Sequence, residues 1–219
     1  MIWTIPVGSA STTAEYDPAL GDRRGIFVCA HGAGGNIKDR STLAAANALR
    51  RAGLGVVRFN FLYKEEGSGR PDPMPKLMDT AAAVAEYTQD TLKPDTLIVG
   101  GRSMGGRAFS MLAAEGFDVD GLLLLAYPLH PPGEKGKLRD AHLPSIQMPV
   151  LCFNGTRDEF CDPAIMRRVI SGVKAPWTMH WLEGADHSFH VLKSSGRTDA
   201  QVLDEVCKTT GDWLAALSH

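Results

Sequence analysis

Gly101-Arg102-Ser103-Met104-Gly105 follows directly after the apolar run Thr96–Gly100. A short apolar run that ends in glycine is typical of a buried strand, and the glycines on either side of the serine indicate a tight turn. A strand, a turn with serine at its apex and a following helix form the arrangement known as a nucleophile elbow. The serine in such a turn has a strained backbone, which only small neighbours allow. The sequence therefore predicts that the Ser103 hydroxyl is exposed at the carboxyl end of a sheet.

This pattern of two glycines around a serine is weak evidence by itself. It is expected by chance in roughly one chain in eight of this length and composition, and an ordinary strand-to-helix turn is the alternative interpretation. The rest of the chain decides between the two interpretations, because a reactive serine needs partner groups on neighbouring loops.

Short apolar runs alternate along the chain with segments of helical periodicity. The runs are continuously apolar, which is typical of strands that are covered on both faces. The predicted strands are Gly25–Ala30, Gly55–Phe61, Thr96–Gly100, Gly121–Tyr127, Val150–Asn154 and Trp177–Leu182, and a further strand near Ile2–Val7 is less clearly marked. The predicted helices are Asp39–Arg51, Lys76–Leu92, Ser103–Glu115, Pro163–Gly172 and about Thr198–Leu217. This alternation predicts an α/β fold with a doubly wound, mostly parallel sheet flanked by helices, in a single domain over residues 1–219.

Composition and charge exclude several classes of protein. A net charge of −2 argues against nucleic acid as a partner. No apolar stretch approaches the roughly 18 residues that span a bilayer, and Met1–Pro6 lacks the basic and apolar segments of a signal peptide, so no membrane partner is expected. The four cysteines include no C-x-x-C pair, which argues against a zinc or redox site. We expect a cytoplasmic protein without disulfide bonds.

A glycine-rich loop, His31-Gly32-Ala33-Gly34-Gly35, follows the first strongly apolar strand. Acyl transfer places negative charge on the carbonyl oxygen of the substrate, and backbone N–H groups that point at this oxygen stabilise the charge. In an elbow-containing fold, one N–H comes from the loop after this strand and another from the residue after the nucleophile. We therefore assign an oxyanion hole to Ala33 or Gly34 and to Met104, with a plain glycine turn as the alternative. His31 is interpreted as an anchor for the loop.

Two later loops carry candidate partners for the serine. Asp158 is the candidate acid, with Glu159 and Asp162 as alternatives, and His187 is the candidate base, with His190 as the alternative. The histidine would accept the serine proton and return it to the leaving group, while the carboxylate orients the histidine. The order Ser…Asp…His along the chain is the order that the elbow requires. A metal at the H-x-x-H pair would need a third ligand, which the sequence does not supply.

Aromatic and basic side chains near these loops are candidates for contact with a substrate. The candidate pocket residues are Phe61, Tyr63, His130 and Phe189. Packing in the core is an equally good interpretation of these residues. Arg70, Arg102 and Arg107 lie in or near the same loops and would favour an anionic substrate, although arginines at such rims are usually solvated. Whether the loops Lys64–Pro75 and Leu129–Met148 cover the site is left open by the sequence.

Several segments are informative in combination: Gly100–Arg107, His31–Gly35, Arg58–Phe61, Ala126–His130 and Gly155–Asp158. Together they resemble the small α/β-hydrolases, in the branch with dienelactone-hydrolase-like and testis-expressed-protein-like members. The resemblance implies a sheet of eight strands, or one without its first strand, and little or no cap. It also implies that Ser103 is the nucleophile, Asp158 the acid and His187 the base. Dienelactone hydrolases use a cysteine nucleophile, so the serine argues against a dienelactone substrate.

These observations predict a serine hydrolase, most simply a carboxylesterase that cleaves small or medium acyl esters through an acyl-enzyme on Ser103. The substrate would be a small-molecule ester, and no metal or organic cofactor is implied. A thioesterase or a peptidase would use the same residues. The alternative from a different class is a hydrolase fold kept as a non-catalytic binding or scaffold module. The sequence leaves the oligomeric state open.

Overall fold

The computed structural model describes residues 1–217, in which eight strands form one sheet. The strands are β1 (Ile2–Val7), β2 (Ala10–Asp17), β3 (Gly25–Ala30), β4 (Leu54–Phe59), β5 (Leu97–Arg102), β6 (Gly121–Leu125), β7 (Val150–Gly155) and β8 (Trp177–Leu182). Their order in the sheet is β1-β2-β4-β3-β5-β6-β7-β8. The pairs β1/β2 and β2/β4 are antiparallel, and all later pairs are parallel. The predicted α/β fold with a mostly parallel sheet is confirmed.

Helices cover both faces of this sheet. They are α1 (Arg40–Arg51), α2 (Leu62–Glu65), α3 (Met74–Leu92), α4 (Met104–Ala114), α5 (Pro163–Ile170) and α6 (Asp199–Leu217). Neighbouring residues of a central strand face opposite helices: Phe27 packs on the side of α1 and α6, and Val28 packs on the side of α3 and α4. Both residues are completely buried. Burial of both faces explains why the central strands are apolar throughout. Within residues 1–217, no helix has the length and apolar character required to cross a membrane.

Strand β2 was not predicted, because its sequence is polar. It follows β1 after a turn at Gly8-Ser9, and its Glu15 and Asp17 bind Arg58 of β4 at 3.0 and 2.7 Å. A buried arginine needs carboxylates on the neighbouring strand to pair with its charge. Strand β2 therefore carries acidic residues and shows no apolar run in the sequence. The less clearly marked strand at Ile2–Val7 is present as β1, at the edge of the sheet.

Two predicted strands end earlier than expected. Strand β4 ends at Phe59 because Phe61 is already the residue that precedes the short helix α2, which was also not predicted. Strand β6 ends at Leu125, and the next residue, Ala126, has a positive φ of 55°, which no strand accommodates. In the other direction, β5 continues to Arg102 and reaches the serine turn. The five predicted helices are present, with ends that differ by a residue or two.

The parallel strands place several loops on one side of the sheet. Strands β3, β5, β6, β7 and β8 run in the same direction, so their carboxyl ends form one edge. The loop after β3, the turn after β5 and the loops after β7 and β8 therefore meet there. Ligands in open α/β sheets bind at this edge, which locates the candidate site.

Candidate active site

Ser103 lies in a strained turn between β5 and α4. Its backbone has φ 49° and ψ −115°, a conformation that non-glycine residues rarely adopt. The turn also brings the chain close to β3. A Cβ atom at Gly101 would lie 2.2 Å from the Ala30 carbonyl oxygen, and one at Gly105 would lie 2.6 Å from the Ala30 Cβ. Glycine is therefore required at both positions, and the serine side chain is held above the end of β5.

Ser103, His187 and Asp158 lie within hydrogen-bond distance of one another in series. The Ser103 Oγ is 2.9 Å from His187 Nε2, and His187 Nδ1 is 2.9 Å from both carboxylate oxygens of Asp158. The Asp158 side chain is fully buried and also accepts hydrogen bonds from Asn154 Nδ2 at 3.1 Å and from the Phe160 N–H at 2.8 Å. An ionised carboxylate only accepts hydrogen bonds, so it fixes the proton on His187 Nδ1 and leaves Nε2 free to accept the serine proton.

The residues that the sequence offered as alternatives have other partners. Asp162 caps α5, where its carboxylate accepts from the Ala164 and Ile165 N–H groups at 2.9 and 3.1 Å. Glu159 is exposed. His190 is also exposed and binds Asp199 rather than Asp158. Of the candidate acids and bases, the structure therefore brings Asp158 and His187 to the serine.

The glycine-rich loop after β3 lines the cleft next to Ser103. His31 anchors it: Nδ1 donates to the Gly32 carbonyl at 2.7 Å, and Nε2 accepts from the Phe61 N–H at 3.2 Å. Burial lowers the pKa of His31 to about 4, so the ring is neutral near pH 7. The Tyr63 hydroxyl donates to the Ala33 carbonyl at 2.8 Å. These bonds hold the backbone of the loop beside Ser103.

The loops enclose an open cleft of about 470 Å³ around Ser103. The residues that line it are Gly32, Ala33, Gly34, Gly35, Asp39, Ser41, Arg102, Ser103, Met104, Arg107, Pro128, Arg139, Phe160 and His187. The loop that begins at Leu129 contributes Arg139 to this lining, whereas none of the lining residues comes from Lys64–Pro75. Phe160 packs against the His187 ring at 4.3 Å between centroids.

The four candidate pocket residues do not line this cleft, and that expectation is corrected. Phe61 and Tyr63 are buried in the core, where their rings pack against His31. His130 is buried, and its Nε2 accepts from the Asp162 N–H at 3.0 Å. Phe189 is buried with the residues on the α1 and α6 side of the sheet, and it lines a neighbouring pocket that shares Asp39, Ser41 and Arg102 with the cleft. All four side chains are therefore buried packing or hydrogen-bonding groups beneath the loops of the site.

The sequence matches the model of a family described as "Alpha/beta hydrolase domain" over residues 23–215. The chain belongs to this family. The match covers every element from β3 to most of α6, together with all of the residues that line the cleft. The resemblance noted in the sequence is confirmed.

Solved structures share the fold of this hydrolase. One is a serine hydrolase without a lid from Xanthomonas campestris (TM-score 0.75, 22% identity, covering 97% of this chain and 94% of that chain). Another is a dienelactone hydrolase from Anabaena variabilis (TM-score 0.75, 17% identity, covering 99% and 96%). A third is Est1E from Butyrivibrio proteoclasticus with bound ferulic acid (TM-score 0.78, 15% identity, covering 98% of both chains). At these identities the likeness concerns the fold alone.

Sequence reasoning placed Arg102 at an exposed rim, but in this hydrolase Arg102 is buried. Its Nη2 donates to the His187 carbonyl oxygen, and its guanidinium carbon lies 4.8 Å from the centre of the Phe189 ring. Burial lowers the pKa of Arg102, while the carboxylates of Asp39 and Asp158 act in the opposite direction. The arginine therefore ties the end of β5 to the loop that carries the histidine. The only local signal for this role is a charged residue inside an otherwise apolar strand end.

Metal-ligating side chains are not gathered elsewhere in the fold. Among residues 1–217, no three His, Cys, Asp or Glu side chains are grouped so that they would hold a metal ion. The described cysteines are unpaired, and three of them, Cys29, Cys152 and Cys161, are buried. Burial raises the pKa of each of these three thiols, so they remain protonated and act as packing groups.

Proposed function

We propose that this hydrolase is a serine carboxylesterase that acts on small or medium acyl esters. One observation carries the proposal: Ser103 Oγ lies 2.9 Å from His187 Nε2, whose ring is bound on its other side by the buried Asp158. A binding scaffold has no physical need for a hydroxyl, an imidazole and a carboxylate joined in a chain of hydrogen bonds. The same series activates a serine for attack on a carbonyl carbon.

The proposed reaction has two halves. His187 Nε2 takes the proton of Ser103 as the oxygen attacks the ester carbonyl, and Asp158 stabilises the imidazolium that forms. The Met104 N–H and an N–H of Ala33 or Gly34 would bind the oxyanion. His187 then protonates the departing alcohol, which leaves an acyl group on Ser103. A water molecule, deprotonated by His187, attacks the acyl carbon, and the acid departs as the proton returns to Ser103.

The choice of an ester as substrate rests on the cleft and on the relatives. An open cleft of about 470 Å³ accepts a small acyl group and an alcohol without a lid that must move first. A structural neighbour from Butyrivibrio proteoclasticus holds ferulic acid, which is a carboxylic acid, as the product of ester cleavage is. Thioesters and amides would use the same residues, so rates on the three bond types decide between them.

A fluorophosphonate probe tests the proposed nucleophile directly. We expect the probe to label the wild-type protein and to fail on Ser103→Ala. The matched control is Ser171→Ala, which removes an exposed hydroxyl that donates to the Arg168 carbonyl and should leave labelling intact. A panel of p-nitrophenyl esters of rising acyl length, run beside acyl thioesters and a dienelactone, then defines the bond. Well-folded wild-type protein that takes up no probe would contradict the proposal and support the scaffold module.

A further inference from the structure

Two arginines, Arg107 and Arg139, line the cleft. Arg107 lies in the first turn of α4, where its N–H donates to the Ser103 carbonyl at 3.0 Å and its side chain lines the cleft. Arg139 comes from the loop that begins at Leu129. The Arg139 N–H donates to the Leu129 carbonyl at 2.8 Å, and its Nη1 donates to the Pro128 carbonyl at 3.3 Å. Arg139 is therefore held in place by hydrogen bonds to backbone carbonyl oxygens and not by a carboxylate.

Neither guanidinium has a carboxylate partner in the part of the chain that the structure describes. The ion pairs among residues 1–217 include neither Arg107 nor Arg139. The Nε atom of Arg107 is buried without a hydrogen-bond partner. Burial and the charge of Arg107 both lower the pKa of Arg139. Two cations that repel each other and lack an acid between them are stabilised by an anion that binds both.

The other charged groups of the cleft are already engaged. Arg102 is bound to the His187 carbonyl, and the Asp39 carboxylate accepts from the Ser41 hydroxyl at 2.6 Å and from Thr42. Three arginines and one aspartate line the cleft, and the buried Asp158 carboxylate lies directly behind His187, so the formal charge of the site is +1, whereas the whole chain has a net charge of −2. A positive cleft on an acidic protein attracts anions selectively.

His142, on which the charge of Arg107 acts, does not change the charge of the cleft. His142 binds the Ser110 hydroxyl at 2.8 Å, and burial together with Arg107 lowers its pKa to about 4. It is therefore neutral near pH 7 and adds no charge. Tyr127 also lies near Arg107 and Arg139. Its hydroxyl donates a hydrogen bond to the Arg139 carbonyl at 2.5 Å, and burial raises the pKa of Tyr127, so the hydroxyl stays protonated and uncharged.

We propose that Arg107 and Arg139 form a subsite for a carboxylate on the substrate, so that the ester cleaved at Ser103 carries a second, negatively charged end. The substrate class is a half-ester of a dicarboxylic acid, or an ester whose alcohol bears a carboxylate. The guanidinium forks bind the two carboxylate oxygens and fix the position of the ester carbonyl over Ser103. This inference rests on the proposed esterase function, which it makes more specific.

Two pairs of matched esters test the subsite and show which side of the bond carries the charge. The acyl-side pair is p-nitrophenyl hemiglutarate and p-nitrophenyl pentanoate. The alcohol-side pair is the pentanoate of 4-hydroxybenzoate and the pentanoate of 4-hydroxybenzamide. After subtraction of the uncatalysed rate, we expect kcat/KM of the anionic ester to exceed that of its neutral partner roughly tenfold or more in one pair. A ratio near one in both pairs would overturn the subsite.

Glutamine variants assign the preference to the two arginines. Arg107→Gln and Arg139→Gln should each lower the anionic-to-neutral ratio of kcat/KM by roughly tenfold, because each removes one charge-assisted contact. Arg70→Gln makes the same change of charge at an exposed position outside the cleft, and its ratio should match the wild type. An unchanged ratio in both cleft variants, with their circular dichroism unaltered, would overturn the assignment.

A binding measurement separates this inference from the proposed function. Glutarate is titrated calorimetrically into Ser103→Ala and into Ser103→Ala/Arg107→Gln, neither of which needs to turn over an ester. If the double variant binds glutarate roughly tenfold more weakly, the subsite is supported, whether or not the wild type hydrolyses esters. A wild type that hydrolyses no ester would contradict only the esterase function. Equal binding by the two proteins, or no binding to either, would overturn the subsite and leave the esterase standing.

Discussion

A serine hydroxyl is a weak nucleophile at neutral pH, so its reactivity depends on the two residues behind it. His187 is partly exposed, with 27% of its side chain accessible, while Asp158 beneath it is fully buried. The histidine is therefore open to the cleft on the side of Nε2 and shielded on the side of Nδ1. In the proposed mechanism, Nε2 would therefore transfer the proton, while the hydrogen bond at Nδ1 would keep the ring oriented.

The first prediction concerns the serine and the histidine as a unit. Ser103→Ala and His187→Ala should each lower kcat roughly 10,000-fold or more, and the double variant should be little worse than either single variant. The reason is that each residue is useless to the reaction without the other. Steady-state kinetics on a p-nitrophenyl ester measure all three rates. Losses that add strictly in free energy would mean that the two residues act independently.

The second prediction distinguishes Asp158 from its neighbour Asp162. Asp158→Asn should lower kcat by roughly 10,000-fold, because an amide that donates to Nδ1 favours the tautomer with the proton on Nε2. Asp162→Asn should leave kcat near the wild-type value, and replacement of this helix cap by alanine should cost about 1 kcal/mol of unfolding free energy. Kinetics and urea denaturation separate the two effects. A larger loss of kcat in Asp162→Asn would show that the acid is misassigned.

At the scale of the elements, the site depends on β5 and on the loop after β8. These segments are far apart in the sequence, and Arg102 at the end of β5 is bound to the carbonyl of His187, 85 residues further on. The same arginine packs over Phe189, whose φ of 66° marks a strained position in the histidine loop. A strained loop is held only if its surroundings fix it, and Arg102 supplies one of those contacts.

The third prediction follows from this tie. Arg102→Met should lower kcat roughly tenfold or more with a smaller change in KM, because the histidine loop then loses a charge-assisted hydrogen bond and His187 shifts from Ser103. Arg102→Lys keeps the charge and should recover part of the loss. The split between kcat and KM is the readout, because a merely structural role would leave kcat unchanged in a folded variant. A folded Arg102→Met variant with wild-type kcat would show that Arg102 does not position His187.

Prediction from the sequence succeeded where a local pattern causes the structure. Continuous apolar runs marked the central parallel strands, because burial on both faces demands them, whereas the edge strand β8 is mostly half-buried. The glycines around Ser103 marked the turn because any Cβ there would clash with Ala30. The polar strand β2 had no such pattern, since its acids pair with Arg58. The aromatic residues offered for the pocket, such as Phe61, were misplaced because an apolar side chain beside a site looks the same whether it faces the cleft or the core.

The contacts of the arginines were not predictable for a different reason. Arg102, Arg107 and Arg139 find their positions through partners on other elements, such as the His187 and Pro128 carbonyls. A sequence does not show which distant backbone oxygen a guanidinium will meet, or that a carboxylate will be missing. The charge of the cleft is therefore a property of the whole fold.

At the scale of the whole molecule, the pH dependence of stability is influenced by two histidines, His31 and His142, that are neutral in the folded protein. Burial lowers the pKa of His31 to about 4, and burial together with the charge of Arg107 lowers that of His142 to about 4, whereas an unfolded histidine titrates near 6.5. Between these values the unfolded chain binds more protons than the folded protein. The stabilisation is therefore complete above about pH 6.5 and is lost progressively as the pH falls toward about 4.

The fourth prediction is that the free energy of unfolding decreases steadily between about pH 7 and about pH 4.5, by at most about 1.4 kcal/mol per pH unit for each histidine. His142 is less buried than His31, so solvent reduces its share. His190 acts in the opposite direction, because Asp199 raises its pKa, but the pair is exposed and weakly coupled to folding. Urea denaturation across this range measures the slope. His142→Gln removes one titrating group while its amide can still bind the Ser110 hydroxyl, and it should give a shallower slope than the wild type. Identical slopes in the two proteins would show that His142 is not held neutral in the folded protein.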